Sequence, residues 1–180
     1  MKAWLFKGNQ NSYVKLSGNV LDLGSQDFTM AAFFYQDVLL DGTLMEYRGK
    51  THGTHIGIYE KVFYINLEAA SRNVVGKFGT LVAKKWHFVG ISLNTKRGIL
   101  LTWIDEKVGM MGVGPVGKRE MSGDLYIGVR LGDNRAFRGR IAGATLMNCA
   151  VGLGQDEVSA LRTDIIKRAG EYIIIWFRFP

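Results

Sequence analysis

The run Trp86-His87-Phe88-Val89-Gly90-Ile91-Ser92-Leu93, the turn Asn94-Thr95-Lys96-Arg97-Gly98 and the run Ile99-Leu100-Leu101-Thr102-Trp103-Ile104 decide the fold class. Two apolar runs of strand length joined by a short polar turn ending in glycine form a β-hairpin. Asp105-Glu106 then turns the chain into Lys107 to Met111, which makes a further hairpin.

The same punctuation extends in both directions. Upstream, Tyr13 to Leu16 alternates as a half-buried strand does. Asp27 to Tyr35 (DFTMAAFFY) is a longer strand, buried on both faces near its end. Thr43 to Tyr47 follows, then His55 to Tyr59 and Val62 to Leu67, the last two joined by the two-residue connection Glu60-Lys61. Arg72 to Phe78, Asp124 to Val129 and Phe137 to Met147 complete the series. One helix stands apart. Gly154-Gln155-Asp156-Glu157-Val158 opens it with acids where the N-terminal dipole favours them, and Leu153 precedes it as a staple onto Val158. Val158, Leu161 and Ile165 share one face, Lys167 and Arg168 occupy the last turn, and Gly170 suits the C′ position. Glu171 to Phe179 returns as a strand, placed beside Ala3 to Lys7. Many short strands with one late helix predict an all-β sandwich of two packed antiparallel sheets, spanning residues 1–180 as one domain.

Composition agrees. The chain has 180 residues, 47% hydrophobic and 22% charged, enough for one well-buried core and unlike a disordered chain. Its 23 glycines against two prolines fit numerous turns between strands. A net charge of +7 favours anionic partners such as acidic or sulfated glycans, nucleic acid or lipid headgroups, although scattered charge also serves solubility. Cys149 is the only cysteine, so no intrachain disulfide forms. The apolar run Ala3-Trp4-Leu5-Phe6 is too short for a signal-peptide core, and no stretch approaches the roughly 20 apolar residues of a membrane span.

The order of these signals resembles the laminin-G-like domains of the concanavalin A-like lectin/glucanase superfamily. The matching pieces are Ser12 to Leu16, Asp27 to Phe33, Trp86-His87-Phe88-Val89, Thr102-Trp103-Ile104-Asp105-Glu106, Leu125-Tyr126-Ile127-Gly128 with Phe137-Arg138-Gly139-Arg140-Ile141, and Leu153 to Leu161. They run in order from about residue 12 to 162. Glu106 stands where the family usually has glycine, and Ala142-Gly143 where an acidic pair commonly follows. The resemblance implies a jelly roll, an extracellular or surface-exposed setting, and recognition of a glycan or an extracellular protein.

The glucanases of this superfamily carry Glu-x-Asp-x-x-Glu on one strand; here Asp105 and Glu106 are adjacent, point oppositely on a strand and read as a turn, so no enzyme is expected. His52 and His55 supply two ligands where zinc wants three or four. His87 reads as an outward polar residue or a satisfied core histidine, and Cys149 as a buried thiol. Calcium is the cofactor the loops leave open, through Asp41, Asp133 and Asn134; the same residues suit plain turns. The basic residues are more informative. In a strand, Arg138 and Arg140 share a face about 7 Å apart. Arg135 extends the patch from the preceding loop, and Lys84-Lys85 or Lys118-Arg119 add to it if the fold brings them near. Guanidinium forks pair with sulfate, carboxylate or phosphate. Trp103 and Tyr126 are the aromatic candidates for stacking on a sugar ring, with a core role as the alternative. Helix-turn-helix, zinc-finger and RNP signatures are missing, which argues against nucleic acid. The reading is a non-catalytic recognition module for carbohydrate, with a structural or oligomerising protein-contact domain as the alternative.

Overall fold

The computed structural model describes residues 3–17, 26–49, 53–69, 72–114, 123–133, 135–152, 155–167 and 174–176. Its elements are β1 (Trp4–Lys7), β2 (Val14–Leu16), β3 (Phe28–Tyr35), β4 (Gly42–Arg48), β5 (Gly53–Tyr59), β6 (Val62–Ala69) and β7 (Arg72–Thr80). Then come β8 (Trp86–Asn94), β9 (Ile99–Ile104), β10 (Lys107–Gly112), β11 (Asp124–Ile127), β12 (Arg138–Met147), α1 (Gln155–Lys167) and β13 (Ile174–Trp176). Sheet A runs β1-β12-β3-β8-β9-β10 with β13 added against β12, and sheet B runs β2-β11-β4-β5-β6-β7. The inner faces meet on one apolar core that includes Phe28, Phe34, Tyr47, Phe63, Ile91 and Phe137. Each fully buried side chain of this size contributes about 1.5–3 kcal/mol relative to exposure.

Local chemistry explains the turns. Glu60 and Lys61 both take positive φ, 51° and 65°, which a type I′ hairpin demands. The Asp41 carboxylate accepts the Glu60 N–H at 2.8 Å and helps hold that strained pair. The expected hairpin over 86–104 forms, with Leu93 paired to Leu100 and Gly90 to Trp103.

Both faces of sheet A are covered, which is why β3 is buried on both sides. Its outer face carries a second apolar cluster of Ala31, Phe33, Phe88 and Trp103 with Val158 and Ile165 from α1. The C-terminal strand departs from expectation. β13 pairs parallel with Thr145–Met147 of β12 rather than with β1. Since β3 occupies the other edge of β12, β1 and β13 lie one after the other along a single edge. The staple residue Leu153, the C′ residue Gly170, His52 and the pair Lys118-Arg119 lie outside the described residues.

Candidate ligand-binding surfaces

Strand alternation places Arg138 and Arg140 on the outer face of sheet A, because Ile141 enters the core between the sheets. The register with β1 sets Lys7 directly opposite Arg138 and Leu5 opposite Arg140. Like charges facing each other across a strand pair repel, and neither Lys7 nor Arg138 forms an ion pair among the described residues. The Arg140 guanidinium lies over the Tyr35 ring, 5.2 Å from its centroid. Tyr35 in turn stands beside Trp86, with ring centroids 5.5 Å apart. One row of the sheet thus reads Leu5, Arg140, Tyr35, Trp86.

A cleft of about 590 Å³ opens beside this row, lined by Leu5, Lys7, Asp37, Val38, Leu40 and Arg138 among others. Leu5 is 68% exposed and Val38 64%, so apolar side chains stand in water there beside the charged Lys7, Asp37 and Arg138. Buried Gln36 shapes it: the side-chain amide donates to the Arg138 carbonyl at 2.7 Å and to the Leu40 carbonyl at 3.3 Å. The Gln36 carbonyl also accepts the Lys84 N–H at 2.7 Å, which brings exposed Lys84 to this end of the sheet. Gly139, at φ 151°, lies close against the end of β3; a Cβ there would stand 2.5 Å from the Tyr35 carbonyl oxygen.

The remaining predicted ligand residues lie elsewhere. Arg135 belongs to the opposite face: it sits over the Tyr59 ring at 5.3 Å and pairs with Asp133. Lys85 is held by Asp105 at 2.9 Å. Trp103 is 1% exposed, packed on Phe88 in the cluster that α1 covers, and so unable to stack on a sugar. Gly90 makes room for the indole; a Cβ there would come within 2.2 Å of its Cζ2 atom. Tyr126 is 6% exposed, its hydroxyl donating to Asp124 at 3.1 Å and its ring packed against Tyr13 and the Lys15 ammonium. Both aromatic assignments are therefore corrected to packing roles.

The calcium set fails as well. Asp133 gives Oδ2 to Arg130 and Arg135 and Oδ1 to the Arg135 N–H, so two guanidiniums stand where a cation would bind. Asp41 caps the β5–β6 turn, and Asn134 lies outside the described residues. Among the described residues no group of three or more His, Cys, Asp or Glu is arranged to hold a metal. The residues present do not fit calcium.

Asp105 is structural. Its carboxylate accepts hydrogen bonds from the Phe88 N–H at 3.0 Å, from Lys85 and from His87 Nδ1 at 3.0 Å. Burial works to raise its pKa, but these donors outweigh it and hold the group well below the usual carboxylate range. The His87 Nδ1 faces that carboxylate, and its Nε2 lies 3.1 Å from the Val82 N–H and 2.9 Å from the Val82 carbonyl oxygen. His87 is the satisfied core histidine. Cys149 is half-buried, just past the end of β12.

A polar cluster covers the outer face of sheet B. Glu46, His55 and Asn66 stand side by side on β4, β5 and β6. Described residues 130–133 with Arg135 lie at this face as a strap. Glu46 accepts the Leu131 N–H at 3.0 Å, while Arg48 donates to the Leu131 carbonyl at 2.7 Å. Arg130 faces Glu46, Glu68 and Asp133 at 3.7, 3.4 and 3.3 Å. Burial raises the Glu46 pKa despite that N–H and the neighbouring guanidiniums. Burial, reinforced by Arg130, Arg135 and Arg48, lowers that of His55 to about 3, so its ring is neutral at physiological pH. No local signal marked this cluster, because its members come from strands and a loop far apart in sequence.

Two antiparallel sheets with this strand order and a shared core define the concanavalin A-like jelly roll. The chain is similar in structure to domains LG4-5 of the mouse laminin alpha1 chain, with TM-score 0.69 and 13% identity over 81% of this chain and 40% of that one. It is also similar to the binding domain of Paraclostridial Mosquitocidal Protein 1, with TM-score 0.68 and 12% identity over 88% of this chain and 42% of that one. The native heptameric SAP-like pentraxin from Limulus polyphemus gives TM-score 0.63 and 15% identity over 87% of this chain and 79% of that one. The chain thus spans about two fifths of the laminin and mosquitocidal structures. At such identities the likeness is one of fold. Neither a protein-family model nor a curated protein sequence matches the chain. No described helix is long and apolar enough to cross a membrane.

Proposed function

We propose that this domain is a non-catalytic recognition module, extracellular or surface-exposed, that binds an acidic or sulfated glycan on the outer face of sheet A. The observation that carries the reading is the direct apposition of Lys7 and Arg138 with Arg140 beside them, three cations without a carboxylate partner among the described residues. Their mutual repulsion is relieved when a sulfate or carboxylate lies between them, and the guanidiniums accept such an anion bidentately. Tyr35 and Trp86 continue the row and give a sugar ring an apolar face to rest on.

Retention on heparin tests this. Arg138→Ala with Arg140→Ala is expected to elute at clearly lower salt than the parent, whereas Arg135→Ala, on the opposite face and paired with Asp133, is expected to elute unchanged. Equal retention of the double variant overturns the assignment. A glycan array run with calcium and then chelator is expected to give the same pattern in both. The exposure of Leu5 and Val38 favours a second reading, in which this face packs against a protein or another copy. Elution at multimeric mass, lost in Leu5→Asp, would replace the glycan reading with that one.

A further inference from the structure

The cleft beside Leu5 holds both signs of charge. Lys7 and Arg138 line one part of it, and Asp37 is the one acid among its described lining residues. Asp37 is exposed and forms no ion pair among the described residues. Its neighbours in the chain fix its place. The Gln36 amide donates to the Arg138 and Leu40 carbonyls and accepts the Leu40 N–H at 3.4 Å, which pins residues 36–40 against β12. The Tyr35 hydroxyl donates to Asp37 Oδ1 at 3.2 Å, so this carboxylate stands at the tip of the ring that Arg140 overlies. Val38 and Leu40, 64% and 43% exposed, line the same cleft. Arg138 is steered too. A Cβ on Gly8 would stand 2.8 Å from Arg138 Cβ and 3.4 Å from its Cδ, so the arginine stem runs past that glycine at the end of β1.

We propose that Asp37 and Val38 make this cleft selective for acidic glycans whose amino sugar is N-acetylated rather than N-sulfated, an inference that rests on the glycan reading of sheet A. Lys7 and Arg138 take one acidic group. A second acid in the cleft meets the Asp37 carboxylate, and like charges at contact distance repel. What that carboxylate accepts is a neutral N–H donor. An acetamido group supplies the donor and, two bonds away, a methyl that rests on the exposed side chains of Val38 and Leu40. An N-sulfo group has the N–H as well, but its charge sits on the next atom and it carries nothing apolar for the same walls. At about 590 Å³ the cleft has room for a sugar ring with its substituents.

The experiment measures the affinity of the full chain for three heparins: native, N-desulfated and re-N-acetylated, and 6-O-desulfated. The last two have each lost one kind of sulfate and carry comparable charge, so bulk electrostatics cancel between them. The parent is expected to bind the N-acetylated form about fivefold tighter than the 6-O-desulfated one, the effect of one charge contact in water. Asp37→Asn keeps an acceptor and drops the charge, and should close that gap. Val38→Ser should weaken the N-acetylated form alone. Equal affinity of the matched pair in the parent overturns the proposal, as does a gap that survives Asp37→Asn unchanged. Arg138→Ala with Arg140→Ala separates the two readings. If it weakens all three heparins while the parent binds the matched pair equally, the selectivity fails alone. If it weakens none of them, the sheet A reading fails and takes the selectivity with it.

Discussion

Trp103→Ala is the most discriminating single perturbation, because a ligand-stacking tryptophan and a packing one give opposite results. The indole is 1% exposed and packs on Phe88, within the outer apolar cluster that also holds Val158 and Ile165 of α1. Truncating a tryptophan in such a place removes buried area and leaves a cavity, for about 3–5 kcal/mol of lost stability. Gly90 supplies the other half of the test. A methyl at 90 would stand 2.2 Å from indole Cζ2 and 2.7 Å from the Met30 carbonyl oxygen, so Gly90→Ala overpacks the site. That costs about 1–3 kcal/mol on its own. In the double variant the methyl enters space the indole has vacated, and the combined loss should fall short of the sum by ~1–2 kcal/mol. Urea unfolding followed by far-UV circular dichroism measures all four corners without relying on tryptophan emission. A cost under ~1 kcal/mol for Trp103→Ala, or strict additivity of the pair, would refute the packing argument.

Two further outcomes concern pH. Asp105 has a lowered folded pKa, so its hydrogen bonds stabilise the fold above the ordinary value of ~3.9 and are lost as pH falls through the lowered one. In calorimetry the melting temperature of the parent should drop toward that of Asp105→Asn as pH falls below ~4, and parallel curves would exclude this role. Glu46 has a raised pKa, so its contribution is largest in acid and fades as pH rises through the folded value. Glu46→Gln should therefore look worst, relative to the parent, near pH ~4 and improve toward ~7, and a gap that widens over that range would contradict it.

The sheets were legible because their hairpins are local. The 94–98 turn and Glu60-Lys61 announce themselves between runs of strand length, and Arg138 and Arg140 share a face by alternation alone. What alternation does not reveal is the layer lying on each face. Trp103 points outward from the sandwich core, yet α1, far along the chain, closes over it. The basic cluster was misjoined for a similar reason. Between Arg135 and Arg138 the chain crosses from one sheet to the other: the Arg135 carbonyl accepts from Thr43 of sheet B, while Arg138 already pairs with β1 in sheet A. Three positions of sequence separate opposite sides of the molecule. Lys7, which faces Arg138, is invisible as a partner until the β1–β12 register is known.

The two outer coverings are built from opposing chemistry, and this gives the molecule two independent solvent responses. Over sheet A the helix rests on aliphatic and aromatic carbon, an attachment that sulfate or a stabilising osmolyte tightens and that weakens on cooling. Over sheet B the strap is tied by partly solvated guanidinium–carboxylate pairs, which added sodium chloride loosens and cold leaves largely intact. Hydrogen exchange should then report two openings that trade rank as the solution changes: the strap frees first in concentrated chloride, the helix first near freezing.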